Sequence, residues 1–149
     1  MKTIRAVVTA VVVVAMPALG GATTRKAADI SSLRDAIAVS PSDVIAAVVE
    51  PEQSCEPADP MCVVRVRVVD LLLQRHKSNP RLAAGDSTML YVGSGAESRD
   101  VKLGGRILVV GTPLHMHPDL VGYTARAMTV SPDDATTGAL RTFILATTW

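Results

Sequence analysis

Aromatic side chains are scarce in this chain: Tyr91, Tyr123, Phe143 and Trp149 are all that its 149 residues hold. Surfaces that take single-stranded nucleic acid stack bases on aromatic rings along a basic groove. Four rings and a formal net charge of +1 argue against that class of partner. Histidine is nearly as rare, with His76, His115 and His117, and the only cysteines are Cys55 and Cys62. Neither Ser94 nor Ser98, the serines nearest Asp100, sits in a Gly-x-Ser-x-Gly setting. Gly93-Ser94-Gly95 lacks the Gly-Lys-Ser/Thr that completes a phosphate loop. No apolar run reaches the roughly 20 residues needed to cross a bilayer. No reactive constellation stands out, and the expectation is a protein without catalysis.

What is present begins with a leader. Lys2 and Arg5 precede about fourteen mostly apolar residues at 6–19, followed by small residues at Ala18, Gly20 and Ala22. A charged start, a short apolar core and a small-residue exit have the pattern of a secretory signal peptide over residues 1–22. No cysteine follows the small residues, so nothing points to a lipid anchor. Removing Lys2 and Arg5 takes the 15 basic side chains to 13 against 14 acidic ones, a balance with no broad pull on nucleic acid or anionic membrane. Residues 23–149 are then a single domain, large enough for an ordinary core, and the expected location is secreted or periplasmic, without membrane insertion.

An exported chain meets an oxidising compartment. Six residues, Pro57 and Pro60 among them, separate Cys55 from Cys62. A redox or metal pair would have Cys-x-x-Cys spacing; this spacing predicts a disulfide across the base of a connection between strands.

Residues 62–73, C-V-V-R-V-R-V-V-D-L-L-L, form the longest strand-like stretch. Val64, Val66 and Val68 alternate with Arg65 and Arg67, the period-two signature of a half-buried strand. After Val69 the phase changes, so that Asp70 shares a face with Val68 while Val69, Leu71 and Leu73 line up opposite. Such a strand is expected to kink or bulge and to serve two walls. Four further runs read as strands: 43–50, apolar on both faces; 87–92, with Met89 and Tyr91 opposing Leu90 and Val92; 103–111, opening on paired glycines that imply a bend; and 121–130. Short strands at this spacing imply a barrel or sandwich.

Two helices bracket them. Ser32 and Asp35 resemble a capping box ahead of Leu33, Ala36 and Ile37, giving a short helix over 32–39. Asp133 and Asp134 look like a second helix start, and Leu140, Phe143 and Ile144 recur at helical spacing over 137–146. The threonines and Phe143 there also suit a strand; helix is the leaning, with Phe143 expected in the core.

Three segments carry a family resemblance. Ser42-Asp43-Val44 with Val48-Val49-Glu50, then Val64-Arg65-Val66-Arg67-Val68 leading to Leu71-Leu72, then Gly105-Arg106 before the apolar run at 107–110, follow one another as strands do in the netrin-like, or tissue-inhibitor-of-metalloprotease-like, domain. The chain resembles that family over roughly residues 42–130. The resemblance implies a five-stranded barrel of the oligonucleotide/oligosaccharide-binding (OB) type and a non-enzymatic habit. The family's inhibitors open, after signal removal, on a cysteine that chelates the protease zinc. Here cleavage near Ala22 exposes Thr23, Thr24 and Arg25, so that activity is not carried over.

The expected architecture is therefore mainly β: a five-stranded OB-like barrel with a short N-terminal helix and a C-terminal helix. The leading functional reading is a secreted or periplasmic binding module for a protein or cell-envelope component. Arg65, Arg67, Arg106 and Arg126 offer a basic stripe for it, although a solvated sheet face explains them as well. The runner-up is a periplasmic zinc or copper protein. In an extended backbone His115 and His117 fall on one face, and a thioether from Met61, Met89 or Met128 favours copper(I). A site needs three or four ligands, and only His76 remains as a further histidine; Pro113 and Pro118 around the motif fit a plain turn. Inhibition of a protease by some other edge of the barrel is a third reading.

Overall fold

A computed structural model describes residues 29–40, 43–56, 61–75, 81–93, 100–117 and 120–147, with the side chains of 115–117 and 120–121 left out. The leader expected over residues 1–22, His76, Ser94, Ser98 and Trp149 lie outside the described residues. The elements run α1 (Ser31–Val39), β1 (Val44–Pro51), β2 (Cys62–Arg75), β3 (Ser87–Val92), β4 (Ile107–His117), β5 (Leu120–Val130) and α2 (Asp134–Ala146). The strands close into a barrel in the ring order β1-β2-β3-β5-β4, returning to β1. All pairings are antiparallel except β3 with β5, where Met89, Leu90 and Tyr91 run parallel to Gly122, Tyr123 and Thr124. The OB-like barrel and both helices expected from the sequence are present.

β1 shows why the chain needs two layers. Ile45, Ala47 and Val49 point into the barrel, while Val44, Ala46 and Val48 point outward into a second apolar cluster. All six are buried, so both faces of the strand are covered, as an uninterrupted apolar run requires. The outer cover is the pair of helices: Leu33 and Ile37 from α1 and Leu140 and Ile144 from α2 meet Leu108 and Val110 of β4. Each fully buried Leu, Ile or Val in these layers stabilises the fold by roughly 1.5–3 kcal/mol relative to exposure.

The phase change in β2 is real, but its bookkeeping differs from the simple alternation. In the ladder with β1, Val49 pairs with Val68 and Val48 with Asp70; then Ala47 pairs with Leu71 and Ala46 with Leu73. Val69 and Leu72 are thus extra residues, two bulges within one strand. Each inserts an apolar side chain into the outer cluster; the first reverses the alternation and the second restores it. Leu71 consequently faces the barrel interior with Val68, and Asp70 faces outward, where it forms an ion pair with Arg141 of α2. The expected grouping of Leu71 with Val69, and of Asp70 with Val68, is corrected by these bulges.

β4 starts later and runs further than the sequence implied. Residues 102–105 form a turn, with Gly104 at φ 76° and the Gly105 amide donating to the Lys102 carbonyl at 3.0 Å. At the far end the strand continues through Pro113 to His117 rather than stopping at Gly111. Among the described residues β1 pairs with β4 only as far as Gly111, so Pro113 lies past that ladder, where proline removes no bond to β1.

The helix ends follow different chemistry. Asp133 caps α2, its carboxylate accepting from the Thr136 amide at 2.7 Å, worth about 1 kcal/mol. At α1 the expected Ser32–Asp35 box does not form, and Ile30 occupies the cap position without a side-chain bond. Asp29 instead accepts from the Ser31 amide at 2.9 Å. That bond, with the Ser31 hydroxyl and the Arg34 charge beside it, holds the Asp29 carboxyl below its ordinary range. The two helices meet through Arg34, which lies 5.2 Å from the ring centre of Phe143. Phe143 is half-buried at the margin of the outer layer; the aromatic in the barrel core is Tyr123, 3% exposed.

Candidate functional surface

The barrel interior is filled. Its residual space is about 10 Å³, lined by apolar residues such as Val66, Leu90 and Val109, less than a bound molecule needs and too apolar to hold a water. Leu82 packs against this core from the β2–β3 connection. Burial pushes the Tyr123 hydroxyl pKa above its ordinary value.

The outside of the barrel is unequal. The outer apolar cluster draws on β1, β4, the bulged half of β2 and part of β5, but contains no β3 residue. On the wall formed by the first half of β2, β3 and the first half of β5, the outward side chains belong to neither cluster. They follow from alternation opposite Val64, Val66, Leu90 and Val92, which point inward. The register sets them in two rows across the three strands: Arg65, Met89 and Gly122 in one, Val63, Tyr91 and Thr124 in the other. Val63, Met89, Tyr91 and Thr124 are each half-buried. Gly122 is small for a reason, since a Cβ there would come within 2.8 Å of Tyr91 Cε2. The Tyr91 ring leans over the β5 backbone at that position.

Arg65 and Arg67 flank this wall on β2 with side chains 63% and 51% exposed. Arg67 pairs with Glu50 at 3.2 Å and Arg65 approaches Glu52 at 4.0 Å. Ser87 donates to Glu52 at 3.2 Å. Exposed pairs of this kind contribute at most about 1 kcal/mol, but they balance the charge. The other two arginines of the expected stripe lie elsewhere. Arg106 is exposed ahead of β4, its carbonyl accepting from Ser131, and Arg126 sits on β5 beyond β3, its Nε donating to Thr112 at 3.1 Å.

Cys55 and Cys62 are joined as a disulfide, with Cα atoms 5.6 Å apart, at the base of the β1–β2 connection as their spacing implied. The same connection is stitched to the β3–β4 connection. The Cys55 amide donates to the Val101 carbonyl at 3.1 Å, and the Leu103 amide donates to the Ser54 hydroxyl at 2.9 Å. Exposed Met61 and Leu103 belong to these two connections.

His115 and His117 close β4, with His115 opposite Val121 and His117 opposite Leu120. One residue is therefore extra between them, and the period-two ladder behind the shared-face expectation does not run unbroken through the pair. Their side chains, and His76, lie outside the described residues. The three methionines named as partners are dispersed: Met61 is exposed beside the disulfide, Met89 is on the wall, and Met128 packs against the interior. Among the described residues no three His, Cys, Asp or Glu side chains gather as a metal cluster. The surface feature that sequence reasoning did not assemble is the Tyr91–Gly122 contact, because the parallel pairing of β3 with β5 has no local signal. Compared with known proteins, the chain matches no family model and no curated protein.

Proposed function

We propose that this chain is a non-catalytic binding module of an exported protein, secreted or periplasmic, which engages a protein or cell-envelope component through the β2–β3–β5 wall. The observation that carries the reading is the asymmetry of the barrel: two helices cover one side, the interior is full, and the side centred on Tyr91 has neither helix over it. Barrels of this type present ligands to the strand 2–strand 3 face and the neighbouring loops, and Tyr, Met and Arg are the residues enriched at interfaces. The likeness to netrin-like domains enters this proposal at the level of fold alone, since fold does not fix function.

The test is a pull-down from a cell-envelope fraction with immobilised protein, comparing wild type, Met89→Lys/Tyr91→Ser on the wall, and Leu145→Asp on exposed α2. Melting curves confirm that each variant is folded. A partner retained by wild type and Leu145→Asp but lost by the wall variant is expected. Equal retention by all three refutes the use of this wall, and turnover of an ester, peptide or glycosidic substrate by the purified protein refutes the non-catalytic reading.

A further inference from the structure

A second feature lies on the opposite, helix-covered side of the barrel and does not rest on the wall. α1 packs on β4 and β5 through Leu33 and Ile37. Beside that buried stripe, Ser32, Asp35, Ala36 and Val39 recur at the i, i+3, i+4, i+7 spacing of one helical face. With Ser40 and Arg126 they line an open cleft of about 560 Å³, a size that suits a small molecule.

Arg126 reaches this cleft because β5 is bulged there. Gly111 pairs with Ala125 and Val110 with Ala127, leaving Arg126 as the inserted residue, and bulges re-aim side chains in this way. Its Nε is occupied by Thr112. That bond fixes the plane of the guanidinium and leaves the two terminal nitrogens as a fork, the geometry that grips a carboxylate. Asp35 lines the same cleft, yet the ion pairs among the described residues are made by Arg65, Arg67 and Arg141. A cation and an anion thus share one cleft without closing on each other. Val39, which lines the same cleft, is an apolar side chain 81% exposed.

We propose that this cleft binds a small organic carboxylate carrying a hydrogen-bond donor next to an apolar side chain, the chemistry of an α-amino acid, either free or at the carboxyl end of a peptide. Arg126 takes the carboxylate, Asp35 accepts from the ammonium or amide N–H, and Ala36 and Val39 cover the apolar side chain.

The experiment is an amide-resolved NMR titration of the purified protein with leucine, N-acetyl-leucine and leucinamide. Leucine or N-acetyl-leucine is expected to shift residues 32–40 and 124–127, and leucinamide, which lacks the carboxylate, is not. Arg126→Gln weakens binding by about tenfold or more, as loss of a charged hydrogen-bond partner implies. Thr112→Val weakens it less, by freeing the fork. Response to leucine with loss in Asp35→Asn assigns the free amino acid; response to N-acetyl-leucine alone assigns a chain end. The proposal is overturned if neither carboxylate shifts these residues, if leucinamide does so equally, or if Arg126→Gln binds unchanged while its spectrum remains that of the folded protein. Envelope capture by the wall is unaffected in Arg126→Gln, so the two readings fail separately.

Discussion

Replacing Leu140 by alanine tests whether the outer layer is a true second core. Leu140 is 0% exposed, packed among Val44, Leu108, Val110 and Ile144. The change removes three carbon groups at about 0.8 kcal/mol each, or about 2.4 kcal/mol of transfer free energy. A cavity term adds to this, because α2 is held by its Asp133 cap and by the Arg141–Asp70 pair and cannot collapse freely; the expected loss is about 3–4 kcal/mol. With an unfolding entropy near 2.1 cal/mol/K per residue for a domain of roughly 120 residues, that lowers the Tm by about 12–16 °C. Leu145, 81% exposed on the same helix, is the control: Leu145→Ala keeps helix propensity and stays within about 0.5 kcal/mol. Urea melts followed by circular dichroism measure both, at an unchanged m-value. Equal, small losses for the two variants would show that α2 does not cover the sheet, and the two-layer account would fail.

Three further outcomes are expected. The Cys55→Ala/Cys62→Ala variant, or reduction, should cost about 2–3 kcal/mol on the chain-entropy model, and should raise exchange of the Leu103 amide and of the amide at position 55, the two donors that join these connections; unchanged exchange there would show that the bridge does not brace the β3–β4 connection. Gly122→Ala should displace the Tyr91 ring, since the new methyl falls 2.8 Å from Cε2, and the Tyr91 ring resonances should move while those of Tyr123 stay; static Tyr91 resonances would contradict the contact. The raised Tyr123 pKa stabilises the fold fully below the unfolded tyrosine value near 10, and that stabilisation is lost as pH rises through the folded value. The urea midpoint should therefore fall above about pH 10 more steeply in wild type than in Tyr123→Phe, and identical slopes would refute the assignment.

The local parts of this fold were legible where periodicity was clean. Val64, Val66 and Val68 against Arg65 and Arg67 gave the first half of β2, and the doubly apolar run at 44–49 announced a strand covered on both sides. Reading failed where one residue was inserted. Alternation sees a single phase change after Val69, whereas the ladder holds two bulges, at Val69 and Leu72, and only the partner strand reveals the second. The same limit hid Arg126, whose place at the α1 cleft depends on a bulge against β4. Phe143 was expected in the core and lies at the margin of the outer layer, while Tyr123 fills the barrel, because size and hydrophobicity do not say which layer a ring enters. The wall was half visible, in that Met89 and Tyr91 were set opposite Leu90 and Val92. Its third strand was not, because β3 meets β5 across an intervening strand through three parallel pairs.

That closure is what leaves one wall outside the helical cover, and backbone NMR of the folded protein measures it. The account predicts cross-strand contacts in parallel register between Met89 and Gly122, Leu90 and Tyr123, and Tyr91 and Thr124, with protected amides along these segments. Absence of those contacts, or freely exchanging amides from Met89 to Tyr91, would mean an open sheet and would contradict it.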